Sequence, residues 1–80
     1  MEEKEILEKV SAVVSAVLKR EVKLSPATAA ADVDGWDSLS HMMIINGIEQ
    51  KFSLRFKLKE VMAFGNAGDL VACIAGKLKE

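Results

Sequence analysis

Eighty residues suffice for one domain (residues 1–80) and leave no room for a second hydrophobic core. Half of the residues are apolar and 29% are charged, which excludes a disordered tail and suits a folded domain. The net charge of −1 argues against nucleic acid as a partner, because no basic excess exists to displace counterions from phosphates.

Local features exclude other classes of protein. The charged N-terminus lacks the apolar segment of a signal peptide, and no apolar run approaches the ~20 residues of a membrane span. We therefore predict a cytoplasmic protein with no membrane partner. The single cysteine, Cys73, cannot form an internal disulfide, and with His41 it offers too few ligands for a metal ion. Cys73 lies in an apolar helical pattern and is predicted to be a buried core thiol.

The first predicted helix runs from about Glu2 to Arg20. Its apolar residues recur at spacings of three and four, which predicts one buried stripe: Ile6, Val10, Val13, Val14, Val17 and Leu18. A long loop, Glu21–Trp36, follows, and Pro26 disfavours helix at the residue before it. The alanine-rich stretch 27–31 favours a single helical turn within this loop.

The second helix is predicted from Ser38 to about Lys51. Its core-facing residues are predicted to be Ile45, Ile48 and Phe52, with Met42 beside them. Gly47 weakens this helix by about 1 kcal/mol relative to alanine. Its lack of a side chain permits the close approach of either a partner or a neighbouring helix.

Two shorter helices complete the prediction. Leu54 and Phe56 point inward from a short extended connector, and a third helix spans about Leu58 to Ala63. The fourth helix runs from about Gly68 to Leu78. Its packed face is predicted to be Leu70, Val71, Ile74 and Leu78. The sequence thus predicts an all-α, four-helix bundle with a long first loop and a short third helix.

The tripeptide Asp37-Ser38-Leu39 places a hydroxyl where the long loop turns into the second helix. Asp37 suits the N-cap, because its carboxylate accepts hydrogen bonds from the first unpaired backbone N–H groups. Ser38 then occupies the first helical position, where an attached anion is favoured by about 0.3–1 kcal/mol at an exposed site. Trp36 is either a hydrophobic staple across the helix start or an exposed anchor for a partner.

The face of the second helix opposite its core is predicted to carry no charge. Its residues are Leu39, Ser40, Met43, Asn46, Gly47 and Gln50. Met43 is either an exposed, flexible apolar contact for a partner or a filler of a gap in the core. His41 is placed on the core-facing side or at its border, without the nucleophile or acid pair that a catalytic role requires. Glu49 is expected to face solvent or a helix-end amide.

The Asp-Ser-Leu motif, the helix order and the Ile-Glu…Phe segment at 48–52 resemble an acyl carrier protein over nearly the whole chain. The resemblance implies an acyl-carrier-like bundle that is a monomer and not an enzyme. It implies that Ser38 carries a 4′-phosphopantetheine arm, with Asp37 and Leu39 completing the motif that a phosphopantetheinyl transferase recognises. Acyl-loading, modifying and transferring enzymes would then act on thioesters held by the arm.

The resemblance also assigns partner contacts to the outer face of the second helix. The residues concerned are Trp36, Leu39, Met43, Asn46 and Gln50. In acyl carrier proteins this region is usually acidic, whereas here the helix face is uncharged and a basic cluster follows: Lys51, Arg55, Lys57 and Lys59. That cluster is either a solvated surface or a recognition site for an acidic partner. The departure favours a stand-alone carrier of a specialised pathway, in fatty acid, polyketide or other acyl biosynthesis.

Two further functions stay open. An aminoacyl or peptidyl carrier of the peptide-synthetase type usually shows Gly-Gly before the serine, where this chain has Trp36-Asp37. An unmodified helical interaction module would leave Ser38 as an ordinary helix-start serine and bind through the patch from Leu39 to Met43.

Overall fold

The computed structural model describes residues 2–78, which fold into four α-helices joined by one long and two short connections. They form α1 (Glu3–Leu18), α2 (Ser38–Phe52), α3 (Leu58–Ala63) and α4 (Ala67–Leu78), with one 3-10 turn at Ala30–Asp32 in the long loop. This described part of the chain contains no β-strand, and the predicted all-α, four-helix fold is confirmed. None of its helices has the length and apolar character that crossing a bilayer requires.

Each of the two longest helices ends at a residue whose backbone has the left-handed conformation. Lys19 has φ of 58° and its N–H donates to the carbonyl of Ser15, so α1 stops two residues earlier than predicted. Ser53, with φ of 54°, ends α2 in the same way. Beyond α1, Nη2 of Arg20 donates to the carbonyl of Asp34 at 2.6 Å. The end of α1 is therefore tied to the segment that leads into α2.

The hydrophobic core lies where α1 packs against both α2 and α4. Seven side chains at its centre are almost completely buried: Ile6, Val10, Val14, Ile44, Ile48, Leu70 and Ile74. Three residues of the predicted α1 stripe, Val13, Val17 and Leu18, are only partly buried against it. Leu54 and Phe56 pack on the core from the connector before α3, as predicted.

Four predicted side-chain positions are wrong. Met42 does not lie with the core but is 52% exposed, whereas Ile44, two residues further along α2 and about half a turn round it, is fully buried. Ser40 is buried rather than exposed, because it takes part in the cap of α2. Cys73 is half-buried instead of lying in the core. Leu78 is 38% exposed at the end of α4.

The first loop is fastened to α1 by two serine hydroxyls. The Oγ atom of Ser15 accepts from the N–H of Val22 at 2.9 Å, and that of Ser11 accepts from Leu24 at 3.1 Å. Val22 and Leu24 are buried against the helices. This half of the loop is therefore a fixed part of the bundle.

The same loop supplies backbone carbonyls to the start of α4. The N–H of Ala67 donates to the carbonyl of Thr28 and that of Gly68 to the carbonyl of Pro26, both at 2.8 Å. A Cβ atom on Gly68 would lie 2.8 Å from this Pro26 oxygen, so the close approach requires glycine. The loop thereby joins the α1 side of the bundle to α4.

One carboxylate attaches α3 to α4. Oε1 of Glu60 accepts from the N–H of Lys57 at 2.8 Å and lies 2.9 Å from Nζ of Lys77. The Sγ atom of Cys73 donates to Oε2 at 3.4 Å. The Lys57 amide first, and then Lys77, lower the pKa of Glu60 from 4.5 to about 2. The ionised form of Glu60 is therefore favoured by the fold.

We expect this attachment to weaken in acid. Because its pKa falls on folding, Glu60 stabilises the fold fully above about pH 4.5, and this contribution is lost as pH falls toward about 2. Glu60→Gln should lower the Tm at pH 7, and its difference from wild type should shrink between pH 4.5 and 2. Thermal unfolding followed by circular dichroism measures this, with Glu21→Gln, an exposed loop carboxylate, as the control. An equal difference at pH 7 and pH 2 would contradict the prediction.

Candidate functional site

The candidate site is built on the first turn of α2. Oδ1 of Asp37 accepts from the N–H of Ser40 at 2.9 Å, and Oγ of Ser40 accepts from the N–H of Asp37 at 2.7 Å. The hydroxyl of Ser40 also donates to the carbonyl of Gly35 at 2.7 Å, which fixes the loop before the helix. Asp37 is the N-cap and Ser38 the first helical residue, as predicted.

These hydrogen bonds also favour the charged form of Asp37. The backbone N–H of Ser40, with a smaller contribution from its hydroxyl, holds the pKa of Asp37 below its ordinary value of 3.8. A carboxylate at this end of α2 also interacts favourably with the helix dipole. The first turn is therefore fixed by an ionised cap at neutral pH.

Ser38 is left accessible by this arrangement. The side-chain hydrogen bonds of the cap are made by Asp37 and Ser40, which lie on either side of it in the chain. The side chain of Ser38 itself is exposed. An accessible hydroxyl at the N-terminus of a 15-residue helix suits the attachment of an anionic group.

Ser38 also lies in the wall of an open groove of about 630 Å³ between the first loop, α2 and α3. Most of the groove is lined by apolar side chains, among them Trp36, Met42, Leu58, Val61, Met62 and Phe64. Asp37 and His41 add polar groups to the same lining. An apolar surface thus adjoins a helix start that favours a negative charge.

The side chains of Trp36 and His41 pack against each other across the start of α2. They occupy the positions of a hydrophobic staple, one residue before the cap and four after it, and their rings stack with centroids 6.1 Å apart. Nε1–H of Trp36 donates to Nδ1 of His41 at 3.0 Å, and Nε2 of His41 lies 3.3 Å from the carbonyl of Val61. Because an indole nitrogen only donates, His41 carries its proton on Nε2 and donates it to Val61. His41 therefore joins the start of α2 to α3.

We expect each of two amide substitutions at His41 to remove one of these hydrogen bonds and to keep the other. The Asn oxygen in His41→Asn takes the place of Nδ1 and keeps the bond to Trp36, whereas His41→Gln places an amide near Nε2 and keeps the bond to Val61. Each lost bond should destabilise the fold by about 0.5–1.5 kcal/mol. The chain has one tryptophan, so its indole N–H signal in a ¹H–¹⁵N spectrum reports directly on this contact. Both variants lose the stacked ring, so the signal should move in each, but it should move less in His41→Asn, which keeps the hydrogen bond, than in His41→Gln. The reverse order would contradict the geometry.

The predicted partner-facing residues of α2 lie on one exposed surface. Leu39 is 73% exposed and Met43 is 51% exposed, and Asn46 and Gln50 continue the surface toward the end of the helix. Met43 is therefore an accessible side chain, and its interpretation as a filler of the core is wrong. Trp36 differs from these residues, because it is half-buried and packs against the core.

Two other α2 residues make contacts within the protein. A Cβ atom on Gly47 would lie 2.8 Å from Cγ1 of Val13, so this glycine admits the neighbouring α1 rather than forming part of the outer surface. Oε2 of Glu49 accepts from the N–H of Phe56 at 2.8 Å. Glu49 thus binds the connector before α3 and not a helix end.

Leu58 and Met62 were not among the residues predicted to contact partners, although they are 69% and 78% exposed beside the groove. The sequence nevertheless indicates their exposure, because α3 has more apolar residues than its buried side can accommodate. A helix of six residues presents one narrow stripe to a core, and Val61 already occupies it. Two further large apolar residues on so short a helix indicate an exposed apolar surface.

Comparison with known proteins agrees with this geometry. The family model described as the phosphopantetheine attachment site matches residues 8–74. The solution structure of a holo acyl carrier protein from Geobacter metallireducens is similar, with 33% sequence identity and a TM-score of 0.85. The alignment covers 92% of this chain and 86% of that one. No curated protein sequence matches the chain.

The helix bundle and the matched family define a carrier domain that bears a covalent 4′-phosphopantetheine. The chain belongs to the acyl carrier protein family, and the resemblance noted in its sequence is confirmed. As a carrier domain it interacts with a phosphopantetheinyl transferase and with acyl-handling enzymes.

Proposed function

We propose that Ser38 is the attachment residue and that the chain carries acyl intermediates for fatty acid, polyketide or other specialised acyl biosynthesis. The observation that supports this most is the exposed Ser38 hydroxyl at the first position of α2, within the Asp-Ser-Leu motif. Asp37 and Leu39 complete the motif presented to the transferase. Partner enzymes make and break the bonds, and the proposal gives no catalytic role to this chain.

The residues around Ser38 fit a phosphopantetheine group. A phosphodiester on Ser38 adds negative charge at the positive end of the α2 dipole. When bound, the group supplies a terminal thiol that holds acyl cargo as a thioester. Trp36, Met42 and Met62 offer apolar walls beside Ser38, from which water is readily displaced by apolar chains. Asp37 holds the first turn in place, so that Ser38 is presented in one position.

The pathway and setting are part of the same proposal. A stand-alone carrier of a specialised pathway is supported by the uncharged outer face of α2. The protein would act as a cytoplasmic monomer that visits its enzymes in turn. Thioester formation with an acyl group, and none with an amino acid, would separate this function from that of a peptidyl carrier.

Intact mass spectrometry tests the attachment. After incubation with coenzyme A and a permissive phosphopantetheinyl transferase, the wild-type chain should gain the mass of one phosphopantetheine, and Ser38→Ala should gain none. Ser53→Gly is the matched control, because it removes an exposed hydroxyl at the far end of α2. Glycine adopts the φ of 54° at this position without strain. This variant should be modified like the wild type.

Two results would overturn the proposal. A gain of mass in Ser38→Ala would place the attachment on another residue. The absence of a gain on folded wild-type protein would instead favour an unmodified interaction module that binds through the surface from Leu39 to Met43. Circular dichroism of each sample establishes that the chain is folded.

A further inference from the structure

Five large apolar side chains form an exposed patch beside Ser38. This α2–α3 patch consists of Leu39, Met42 and Met43 of α2 with Leu58 and Met62 of α3, each between 51% and 78% exposed. Met42, Leu58 and Met62 line the same groove as Ser38. Within residues 2–78, one other large apolar side chain, Leu78, reaches 38% exposure. Clustered exposure of this kind marks a surface that binds another molecule.

The helix that supplies most of the patch has an uncharged outer face. No Asp, Glu, Lys or Arg occurs from Ser38 through Ile48. A partner that covers this helix face therefore desolvates no ionised side chain between Ser38 and Ile48, and the centres of protein interfaces are similarly depleted of charge. Methionine adds flexible, polarisable contact area to such a surface.

Cations border the patch on one side. Lys57 and Lys59 are exposed and flank Leu58 in the chain, and Arg55 lines a shallow groove with Asn46 and Gln50. Lys51, the remaining member of the predicted basic cluster, lines a different groove with α1 residues. This edge thus carries positive charge although the whole chain has a net charge of −1.

Two carboxylates lie near this edge. Glu60 is paired with Lys77 at 2.9 Å, so the charge of Glu60 is balanced within the fold. Glu49 accepts a hydrogen bond from the N–H of Phe56 at 2.8 Å, and this neutral donor leaves the charge of Glu49 unbalanced. Arg55, Lys57 and Lys59 outnumber this one carboxylate, so the net charge that an approaching partner meets at this edge is positive.

We infer that the α2–α3 patch docks an enzyme whose carrier-binding surface is apolar and bordered by carboxylates. This inference rests on the proposed carrier function, because the docked enzyme must reach cargo attached beside the patch. Opposite charges at the border steer the encounter and fix its orientation, while the apolar centre supplies most of the affinity. Enzymes with a basic border are repelled by Arg55, Lys57 and Lys59, so the carrier is directed to one class of partner.

The polar end of the surface favours a protein over a lipid membrane. Asn46 and Gln50 are exposed next to Arg55 and continue the surface formed by Leu39 and Met43. Each amide has donors and an acceptor that protein backbone and side chains can satisfy. In the hydrocarbon region of a membrane the same groups would lose their hydrogen bonds to water without replacement.

Two synthetic helical peptides test the chemistry of the partner. They share one leucine face and differ only in the flanking residues, which are glutamates in one peptide and lysines in the other. In ¹H–¹⁵N titrations of the full chain at low salt, the glutamate peptide should bind at least about tenfold more tightly, and high salt should remove most of this preference. The largest shift changes should fall on α2 and α3.

Charge reversal supplies the matched variants. Arg55→Glu with Lys59→Glu should abolish or reverse the preference for the glutamate peptide. Lys4→Glu with Lys23→Glu changes the net charge equally on the α1 side of the bundle and should leave the preference in place. An equal effect of both pairs would mean that only the total charge matters, and would overturn the inference.

Other results would also overturn it. These are equal or tighter binding of the lysine peptide, shift changes away from α2 and α3, and no binding of either peptide at 1 mM. Loss of the patch signals on addition of vesicles containing phosphatidylglycerol would assign the surface to a membrane instead. None of these measurements involves coenzyme A, so their failure is distinguishable from a failure of attachment at Ser38.

Discussion

Replacing Ile48 by alanine should lower the free energy of unfolding by about 3–4 kcal/mol. Ile48 is fully buried in α2 where this helix meets α1, so the substitution removes apolar contacts and leaves a cavity. A domain of this length has a total stability on the order of 4–12 kcal/mol. The Tm should therefore fall by roughly 12–32 °C, and a measurable fraction of the chain should be unfolded at 37 °C. Urea unfolding followed by circular dichroism measures the change.

Two further substitutions calibrate this expectation. Ile48→Val removes one methylene group from the same site and should cost about 1 kcal/mol. Met43→Ala lies on the exposed side of the same helix and should change the stability by no more than about 0.5 kcal/mol. Similar losses in Ile48→Ala and Met43→Ala would contradict the assignment of the two faces of α2.

Gly47→Leu is expected to have the second largest effect, a net destabilisation of the fold by about 1–2 kcal/mol. A Cβ atom at this position would lie 2.8 Å from Cγ1 of Val13, and a longer side chain would push α2 away from α1. Overpacking of this kind costs about 1–3 kcal/mol, and the stiff rotamer of a β-branched valine in a helix restricts relief. The loss should exceed the gain of about 1 kcal/mol in helix propensity. Thermal unfolding of purified variants measures the balance.

Gly76 provides the control for this effect. It also lies within a helix, α4, but a Cβ atom there would have no neighbour within 4 Å. Gly76→Ala should therefore raise the stability by about 0.5–1 kcal/mol, whereas Gly47→Ala should lower it. In the background of Val13→Ala, the penalty of Gly47→Ala should shrink. Equal stabilisation by the two glycine-to-alanine changes would disprove the close contact between α1 and α2.

Much of the bundle was predictable because its signals are local. Asp37 caps α2 through its own neighbours, so the cap and the position of Ser38 follow from a few residues of sequence. The bounds of α3, Leu58–Ala63, were also predicted, since the extended connector precedes it and Gly65 follows closely. Periodic apolar residues likewise identified the buried faces of α1 and α4.

What the sequence did not disclose depends on where other helices lie. Met42 is about a quarter of a turn from the buried face of α2, so its exposure is decided by how closely α3 approaches, and α3 leaves a groove there. From the sequence, Gly47 could face either a partner protein or a neighbouring helix. The contact with Val13 shows that it faces the neighbouring helix α1. The exposure of Leu58 and Met62 was not predictable for the same reason, since it depends on which residues of other helices lie near them.

The hydrogen bonds of the first loop have a consequence for how the protein opens. The amide protons of Val22, Leu24, Ala67 and Gly68 are all held by bonds that either begin or end in this loop. Their exchange with solvent deuterium should therefore be slow and should match the exchange of the α1 and α4 interiors rather than that of a flexible linker. The loop, α1 and α4 would then open together as one cooperative unit.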